Sequence, residues 1–391
     1  MSTEPASPFA NFQYEIYLRG MAGEQPSFPM AWGALETAAE AALDPGPRGY
    51  VFGGASTEDT MRENLAAFRR RRLLPRMLRD VGERSMAREV LGTTLPAPVL
   101  LAPVGVQSII HPDGELASAR AAASVGLPYV ASTASSFTLE EIAEAGGDGP
   151  RWFQLYWPRG EELAASFVRR AEAAGYSAIV VTLDTWLLGW RPRDLQQAYL
   201  PFLQGVGIAN YLADPVFRSA LAAPPEQDPQ AAIGQFVGVF SNPTVTWDDL
   251  AFLRGVTDLP ILLKGVLAAD DAGRALDHGV DGLIVSNHGG RQVDGAVATL
   301  DALEGVVAAV DGRVPVLLDS GVRSGSDALK AIALGASAVL LGRPYLWGLA
   351  LDGEEGVRQV LRMLLADLDL AMALSGHATL DQVGPEALAQ G

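Results

Sequence analysis

The stretch Gly282-Leu283-Ile284-Val285-Ser286-Asn287-His288-Gly289-Gly290-Arg291-Gln292 passes from an unbroken apolar run straight into a polar, glycine-containing one. A short apolar run without polar alternation is the pattern of a strand buried on both faces of a parallel sheet. Seven more such runs recur along the chain: Val99–Ala102, Pro128–Ala131, Trp152–Leu155, Ala178–Leu183, Pro260–Lys264, Pro315–Asp319 and Ala338–Gly342. Amphipathic helical stretches lie between most of them, as at Gly114–Val125, Glu161–Ala174, Ala268–His278 and Ser326–Leu334. Strand followed by helix, repeated eight times, predicts an α/β fold closed into a (β/α)8 TIM barrel. An open doubly wound sheet is the alternative, but eight evenly spaced units favour closure.

One interval breaks the rhythm. The gap between Leu183 and Pro260 is far longer than one connecting helix needs, and residues 192–246 within it are rich in Pro, Gly and aromatics. This segment is read as a long insertion after the fourth strand, lying over the C-terminal mouth of the barrel as an active-site lid. Residues 1–90 form an N-terminal helical segment packing on the barrel, with helices expected at Trp32–Leu43 and Thr57–Phe68. Residues 91–391 form the barrel itself.

Bulk composition narrows the functional classes. Apolar residues make up 49% of the chain, enough for a sizeable core. A net charge of −17 argues against nucleic acid and anionic membranes, which need basic surfaces. The basic run Arg69–Arg72, with Arg76 and Arg79, reads as a solvated or subunit-facing surface. The absence of cysteine removes disulfide and thiolate chemistry, and the four histidines show no metal-ligand spacing, so no metal is expected. The N-terminal Met1–Pro8 has no secretory signature. No apolar run reaches the roughly 20 residues of a membrane helix. A cytoplasmic protein is the expectation.

Residues at the C-terminal ends of barrel strands converge on one site. Here those ends carry Gln154 and Tyr156, Thr182 and Asp184, Lys264, Ser286 and His288, Asp319, and Gly342-Arg343. A histidine can take a proton near neutral pH, and an arginine three residues on can grip a carboxylate through two donors. His288 and Arg291 have that relation. The last two strands lead into Asp319-Ser320-Gly321-Val322-Arg323-Ser324-Gly325 and Gly342-Arg343. Barrels hold phosphate between these two loops on backbone amides and a helix N-terminus, so a phosphorylated ligand is expected.

The chain resembles the FMN-dependent 2-hydroxy acid oxidase family, which includes glycolate oxidase, lactate oxidase and lactate 2-monooxygenase. The matching motifs are Ala102-Pro103-Val104-Gly105, Gln154-Leu155-Tyr156, Thr182-Leu183-Asp184-Thr185, Leu263-Lys264-Gly265, the 286–292 segment, Asp319–Arg323 and Gly342-Arg343-Pro344. Gly189–Leu195, Pro201-Phe202-Leu203, Asn210-Tyr211, Asp214–Phe217 and the insertion itself look most like the lactate 2-monooxygenase branch.

The resemblance implies FMN across the barrel mouth. Its phosphate would lie on Asp319, Ser320, Gly321, Arg323, Gly342 and Arg343. Ser132, Gln154, Thr182 and Ser286 would hydrogen-bond the flavin. The backbone of Pro103, Val104 and Gly105 would lie against the ring, with Gly105 leaving more room than alanine. Lys264 would sit beside the pyrimidine end. Arg191, Arg291 and Tyr50 would grip the substrate carboxylate, Tyr156 would contact its hydroxyl or reacting centre, and His288 would be the base. Asp184 would stabilise the imidazolium and raise the His288 pKa.

The reaction implied is oxidation of a small L-2-hydroxy acid with O2, foremost L-lactate to acetate, carbon dioxide and water. Release of a keto acid and hydrogen peroxide is the alternative within the family, and a non-redox FMN-dependent isomerase is the alternative outside it. A homotetramer or homo-octamer is expected.

Overall fold

In the computed structural model, which describes residues 9–389, the eight apolar runs are the strands of one closed parallel barrel. The Met1–Pro8 stretch read above lies outside the described residues. An antiparallel pair, β1 (Arg88–Val90) and β2 (Thr93–Leu95), precedes the barrel. The barrel strands are β3 (Val99–Leu101), β4 (Tyr129–Ser132), β5 (Arg151–Leu155), β6 (Ile179–Thr182), β7 (Ile261–Val266), β8 (Gly282–Val285), β9 (Val316–Leu318) and β10 (Ala338–Leu341). They neighbour one another in chain order, and β10 closes onto β3 with Val339, Leu340 and Leu341 beside Val99, Leu100 and Leu101.

The lack of polar alternation has a direct cause. One buried set, containing Leu100, Val130, Trp152, Val180, Leu262, Ile284, Leu317 and Leu340, forms a core of its own with one residue from each barrel strand. Their strand neighbours, such as Leu101, Phe153, Val181, Leu263, Val285 and Leu341, belong to the larger core that includes the helices. Successive side chains point to opposite faces, and both faces are dry.

Four helices precede the barrel: α1 (Asn11–Met21), α2 (Trp32–Ala42), α3 (Pro45–Phe52) and α4 (Asp59–Arg70). The expected helices at Trp32 and Thr57 correspond to α2 and α4. Around the barrel run α5 (Gly114–Ser124), α6 (Leu139–Gly146) and α7 (Glu161–Ala173). After β6 the insertion carries α8 (Pro192–Gln196), α9 (Ala209–Ala213), α10 (Pro215–Ser219) and α11 (Pro229–Phe240), and α12 (Leu250–Val256) leads into β7. The remaining helices are α13 (Ala269–Asp277), α14 (Thr299–Val310), α15 (Gly325–Ala333) and α16 (Arg343–Leu374).

The insertion is more helical than its Pro and Gly content suggests. Asp214 accepts from the Val216 and Phe217 amides, Asp228 accepts from that of Ala231, and a proline follows each. Asp-Pro pairs that read as breakers are here helix starts, because proline at the first helical position loses no hydrogen bond.

The N-terminal segment is tied to the barrel by polar contacts. Asn64 on α4 and Asn287 beyond β8 exchange reciprocal amide bonds of 2.8 and 2.7 Å, both side chains being buried. Asp369 on α16, fully buried, pairs with Arg84 and accepts from the Ala10 amide. The Asn64→Ala variant removes one of the bonds at each end of the Asn287 amide and leaves the buried Thr299 amide without its acceptor. It should lower unfolding free energy by about 1–3 kcal/mol, the usual cost of orphaning a buried polar group. A urea unfolding midpoint unchanged from wild type would show that the pair contributes nothing net.

Candidate active site

The strand ends and the loops beyond them surround a cavity that opens to solvent. Its wall includes Tyr50, Pro103, Val104, Gly105, Ser132, Tyr156, Arg191, Lys264, His288 and Arg291, together with Asp319, Ser320, Gly321, Arg323, Gly342 and Arg343. Residues from β3 to β10, α3 and the insertion therefore meet in one place. Gln154, Thr182, Asp184 and Ser286 stand behind that wall. Gln154 accepts from Ser132 at 3.0 Å and donates to Thr182 at 3.0 Å, so these three side chains form one buried chain.

Lys264 is 4% exposed. Its Nζ donates to Ser286 Oγ at 2.8 Å, lies 3.1 Å from Asp319 Oδ2 and 4.0 Å from Asp184 Oδ2. Burial pulls the ammonium pKa down, but Asp319 and Asp184 outweigh it and the group stays above its ordinary value.

His288 Nδ1 lies 2.8 Å from Asp184 Oδ1 and 3.0 Å from Thr185 Oγ1. Thr185 also donates to Asp184 Oδ1 at 2.9 Å. Burial pushes the Asp184 carboxyl up, yet His288 and Lys264, with the His288 and Thr185 hydrogen bonds, bring it down to about 2. Asp184 therefore stays anionic and fixes the neutral imidazole with its proton on Nδ1 and its lone pair on Nε2. Asp184 alone would raise the His288 pKa, as expected from the sequence. In the fold burial is the largest influence, Lys264 and Arg191 add to it, and the net direction is down.

On the other side of His288, three groups suit a carboxylate. Arg191 is held by Gln292, which accepts from its Nη2 at 2.7 Å, and by the Arg291 carbonyl at 3.1 Å from its Nε. Arg291 stacks over the Tyr50 ring at 5.0 Å. Burial first, and then the neighbouring Arg191, push Arg291 down to about 10. Burial raises the Tyr50 pKa, which keeps its hydroxyl a donor. The buried Asp194 carboxylate interacts with both guanidinium groups, yet Arg291 stays depressed, so the pair can take a further anion.

A second cationic group lies at the β9 and β10 ends. Arg323 stacks over Trp347 at 5.1 Å, burial depresses its pKa, and its buried Nε has no partner. Arg343 donates to the carbonyls of Val51, Gly289 and Gly53 at 3.0, 2.9 and 2.9 Å. Burial, then Arg291 and Arg323, hold it well below its ordinary value. An unpartnered guanidinium nitrogen facing a glycine-bearing loop is the donor set a phosphate monoester needs.

Gly105 meets a constraint that the sequence does not show. A Cβ there would lie 2.2 Å from the Ala134 carbonyl oxygen, which accepts from the Val106 amide at 3.0 Å. In this backbone glycine is what allows the β3 and β4 loops to approach. Sequence reasoning gave no role to Thr185, Gln292 and Phe202, which it quoted only within motifs, and did not single out Leu188 or Phe240. Leu188, Phe202 and Phe240 line the cavity, and Phe240 meets Tyr156 edge-on at 5.4 Å. Thr185 and Gln292 each follow an expected site residue, which is the one sequence signal they carry. Among the described residues no cluster of His, Asp or Glu is arranged to hold a metal ion, and no helix is long and apolar enough to cross a membrane.

The comparisons with known proteins identify the class to which this barrel, with its paired arginines and histidine–aspartate couple, belongs: FMN-dependent oxidoreductases. The profile described as FMN-dependent dehydrogenase matches residues 39–390, so the chain belongs to that family. It is 44% identical to the L-lactate oxidase of Lysinibacillus sphaericus (strain C3-41) over 367 residues, 94% of each chain. It is also 44% identical to the 4-hydroxymandelate oxidase of Amycolatopsis orientalis, over 88% of this chain and 93% of that protein. A crystal structure of mandelate oxidase superposes with a TM-score of 0.82 at 42% identity, covering 92% of this chain and 98% of that one. The protein is an FMN-dependent 2-hydroxy acid oxidoreductase.

The titration of His288 follows from these positions. In imidazole NMR spectra its midpoint should fall below the ordinary 6.5. In Asp184→Asn, which removes the one nearby anion, it should fall further. A midpoint above 6.5 in wild type would mean that Asp184 rather than burial sets the charge state.

Proposed function

We propose that the protein oxidises a small L-2-hydroxy acid, foremost L-lactate, and carries the reaction on to acetate, carbon dioxide and water as a lactate 2-monooxygenase. The observation that carries the acid-oxidising part is the placement of His288, held neutral by burial and oriented by Asp184, beside Arg191, Arg291 and Tyr50. The guanidinium pair and the Tyr50 hydroxyl bind the substrate carboxylate bidentately. With Nδ1 committed to Asp184, Nε2 of His288 takes the substrate proton, and the anionic Asp184 stabilises the imidazolium so formed. Tyr156, whose pKa burial raises, stays protonated and donates to the substrate hydroxyl. Bound FMN supplies the two-electron acceptor and then the reductant for oxygen. Arg323, Arg343 and the backbone of the Ser320 loop would hold its phosphate end, Pro103–Gly105 and Ser132 would lie against its ring, and Lys264 would place positive charge beside it.

The insertion supports the monooxygenase outcome. Phe202 and Phe240 bring its apolar face to the cavity wall and pack on one another, on Phe236 and on Tyr156. A lid closed by an aromatic cluster retains pyruvate and peroxide together long enough for decarboxylation. Exposed Leu187, Trp190 and Val293 around the mouth support a homo-oligomer that covers them.

Carbon-13 L-lactate turned over in air with excess catalase distinguishes the outcomes. Acetate and carbon dioxide are expected, since catalase removes the free peroxide that would decarboxylate pyruvate in solution. Pyruvate as the product would make the protein an oxidase on the same scaffold. Shortening the insertion within residues 192–246 should shift products from acetate towards pyruvate and peroxide. If the shortened protein still makes only acetate, the lid does not govern retention.

A further inference from the structure

His288 and Ser320 are both non-glycine residues in the left-handed region, with φ of +57° and +71°. Such backbones cost energy and persist where the surroundings over-determine them. What holds these two is a ring of hydrogen bonds. The His288 amide donates to Ser286 Oγ at 3.1 Å, and Ser286 Oγ also accepts from Lys264 Nζ. The next amide, that of Gly289, donates to Ser320 Oγ at 2.8 Å. Ser320 in turn donates to Asp319 Oδ1 at 2.7 Å, and Asp319 pairs through Oδ2 with the same Lys264. The two N–H groups that flank the His288 Cα are thus held by two serine hydroxyls, each anchored to one buried ion pair.

The loop after β9 carries Ser320 among groups suited to a phosphate, yet its hydroxyl is engaged with the histidine loop. Its proton goes to Asp319 and a lone pair receives the Gly289 amide. The Gly289 carbonyl is held at its other end by Arg343 at 2.9 Å. We propose that Ser320 is a positioning residue for His288: it fixes the backbone from which the imidazole projects, and so couples the loop that holds the cofactor phosphate to the proton-accepting group. The inference rests on the reading of His288 as the base.

The test compares wild type with Ser320→Gly, each saturated with FMN, by anaerobic stopped-flow reduction with L-lactate. Glycine suits φ of +71°, so the loop is retained while the hydroxyl is lost. The limiting reduction rate should fall about 10–100-fold, the scale of a small misplacement of a reacting group. The dissociation constant for lactate should change little, because Arg191, Arg291 and Tyr50 are untouched. In the apo-protein, hydrogen–deuterium exchange of the 286–291 segment should be faster in the variant than in wild type.

A limiting rate within twofold of wild type once FMN saturates would overturn the proposal and leave Ser320 a cofactor contact only. Unchanged exchange of the 286–291 segment would overturn it as well. If wild type is not reduced by L-lactate or any other 2-hydroxy acid tried, the reading of His288 fails first. Reduction of wild type with no difference in the variant sinks the Ser320 proposal alone.

Discussion

The ammonium of Lys264 is the charge about which the site is organised. It projects from β7 and reaches Ser286 after β8, Asp319 after β9 and Asp184 after β6. Four adjacent strand ends are tied by one cation. Without it two carboxylates would be left buried and uncompensated, an arrangement that costs several kcal/mol or forces a proton onto one of them. Asp184 keeps its charge because His288, Lys264 and Thr185 surround it, and His288 keeps its orientation because Asp184 is charged. The same ammonium adds to burial in disfavouring the imidazolium of His288, a residue it does not touch.

The opposite wall has the reverse imbalance. Arg191, Arg291, Arg323 and Arg343 line one cavity, and burial together with mutual repulsion depresses Arg291 and Arg343. Backbone carbonyls offset part of this: Gly53 accepts from Arg291 at 2.8 Å and from Arg343 at 2.9 Å. Carbonyl dipoles solvate a guanidinium without neutralising it, so the site retains an attraction for anions at two points. On the proposed reading, a substrate carboxylate at Arg191 and Arg291 and the cofactor phosphate at Arg323 and Arg343 would complete the charge balance. Ligand binding and relief of buried repulsion are then one event.

The barrel was legible in the sequence because a strand dry on both faces leaves an unmistakable apolar run, and all eight are present. The polar strand ends were legible for a related reason: a single Lys264 or Asp319 ending a buried run can be a barrel salt bridge, but so many polar ends together point to a site. The helices of the insertion were not, since Asp214 and Asp228 act as caps only when the chain after their prolines turns inward. The charge state of His288 was misjudged in direction because the sequence shows its partner Asp184 but not its burial. The roles of Gln292 and Thr185 were hidden although both stand in the quoted motifs, as each acts by touching a residue about a hundred positions away.

The division of labour between repeat and non-repeat segments has a consequence for specificity. Proton transfer is assigned to residues on the strand ends and their immediate loops, His288, Asp184 and Lys264. The surfaces left for the substrate side chain come largely from elsewhere: Tyr50 from α3, Leu188 and Phe202 from the long segment after β6, and Phe240 from α11. Those segments pack on the mouth through a few polar ties and an aromatic cluster, not through the strand register. They can change length and bulk while the Lys264 ion-pair network and both anion sites stay in place. A barrel similar at above 40% identity both to an L-lactate oxidase and to a 4-hydroxymandelate oxidase is what that separation produces. On the proposed reading, substrate size and the fate of oxygen would be decided in the parts of the chain that the eightfold pattern does not constrain.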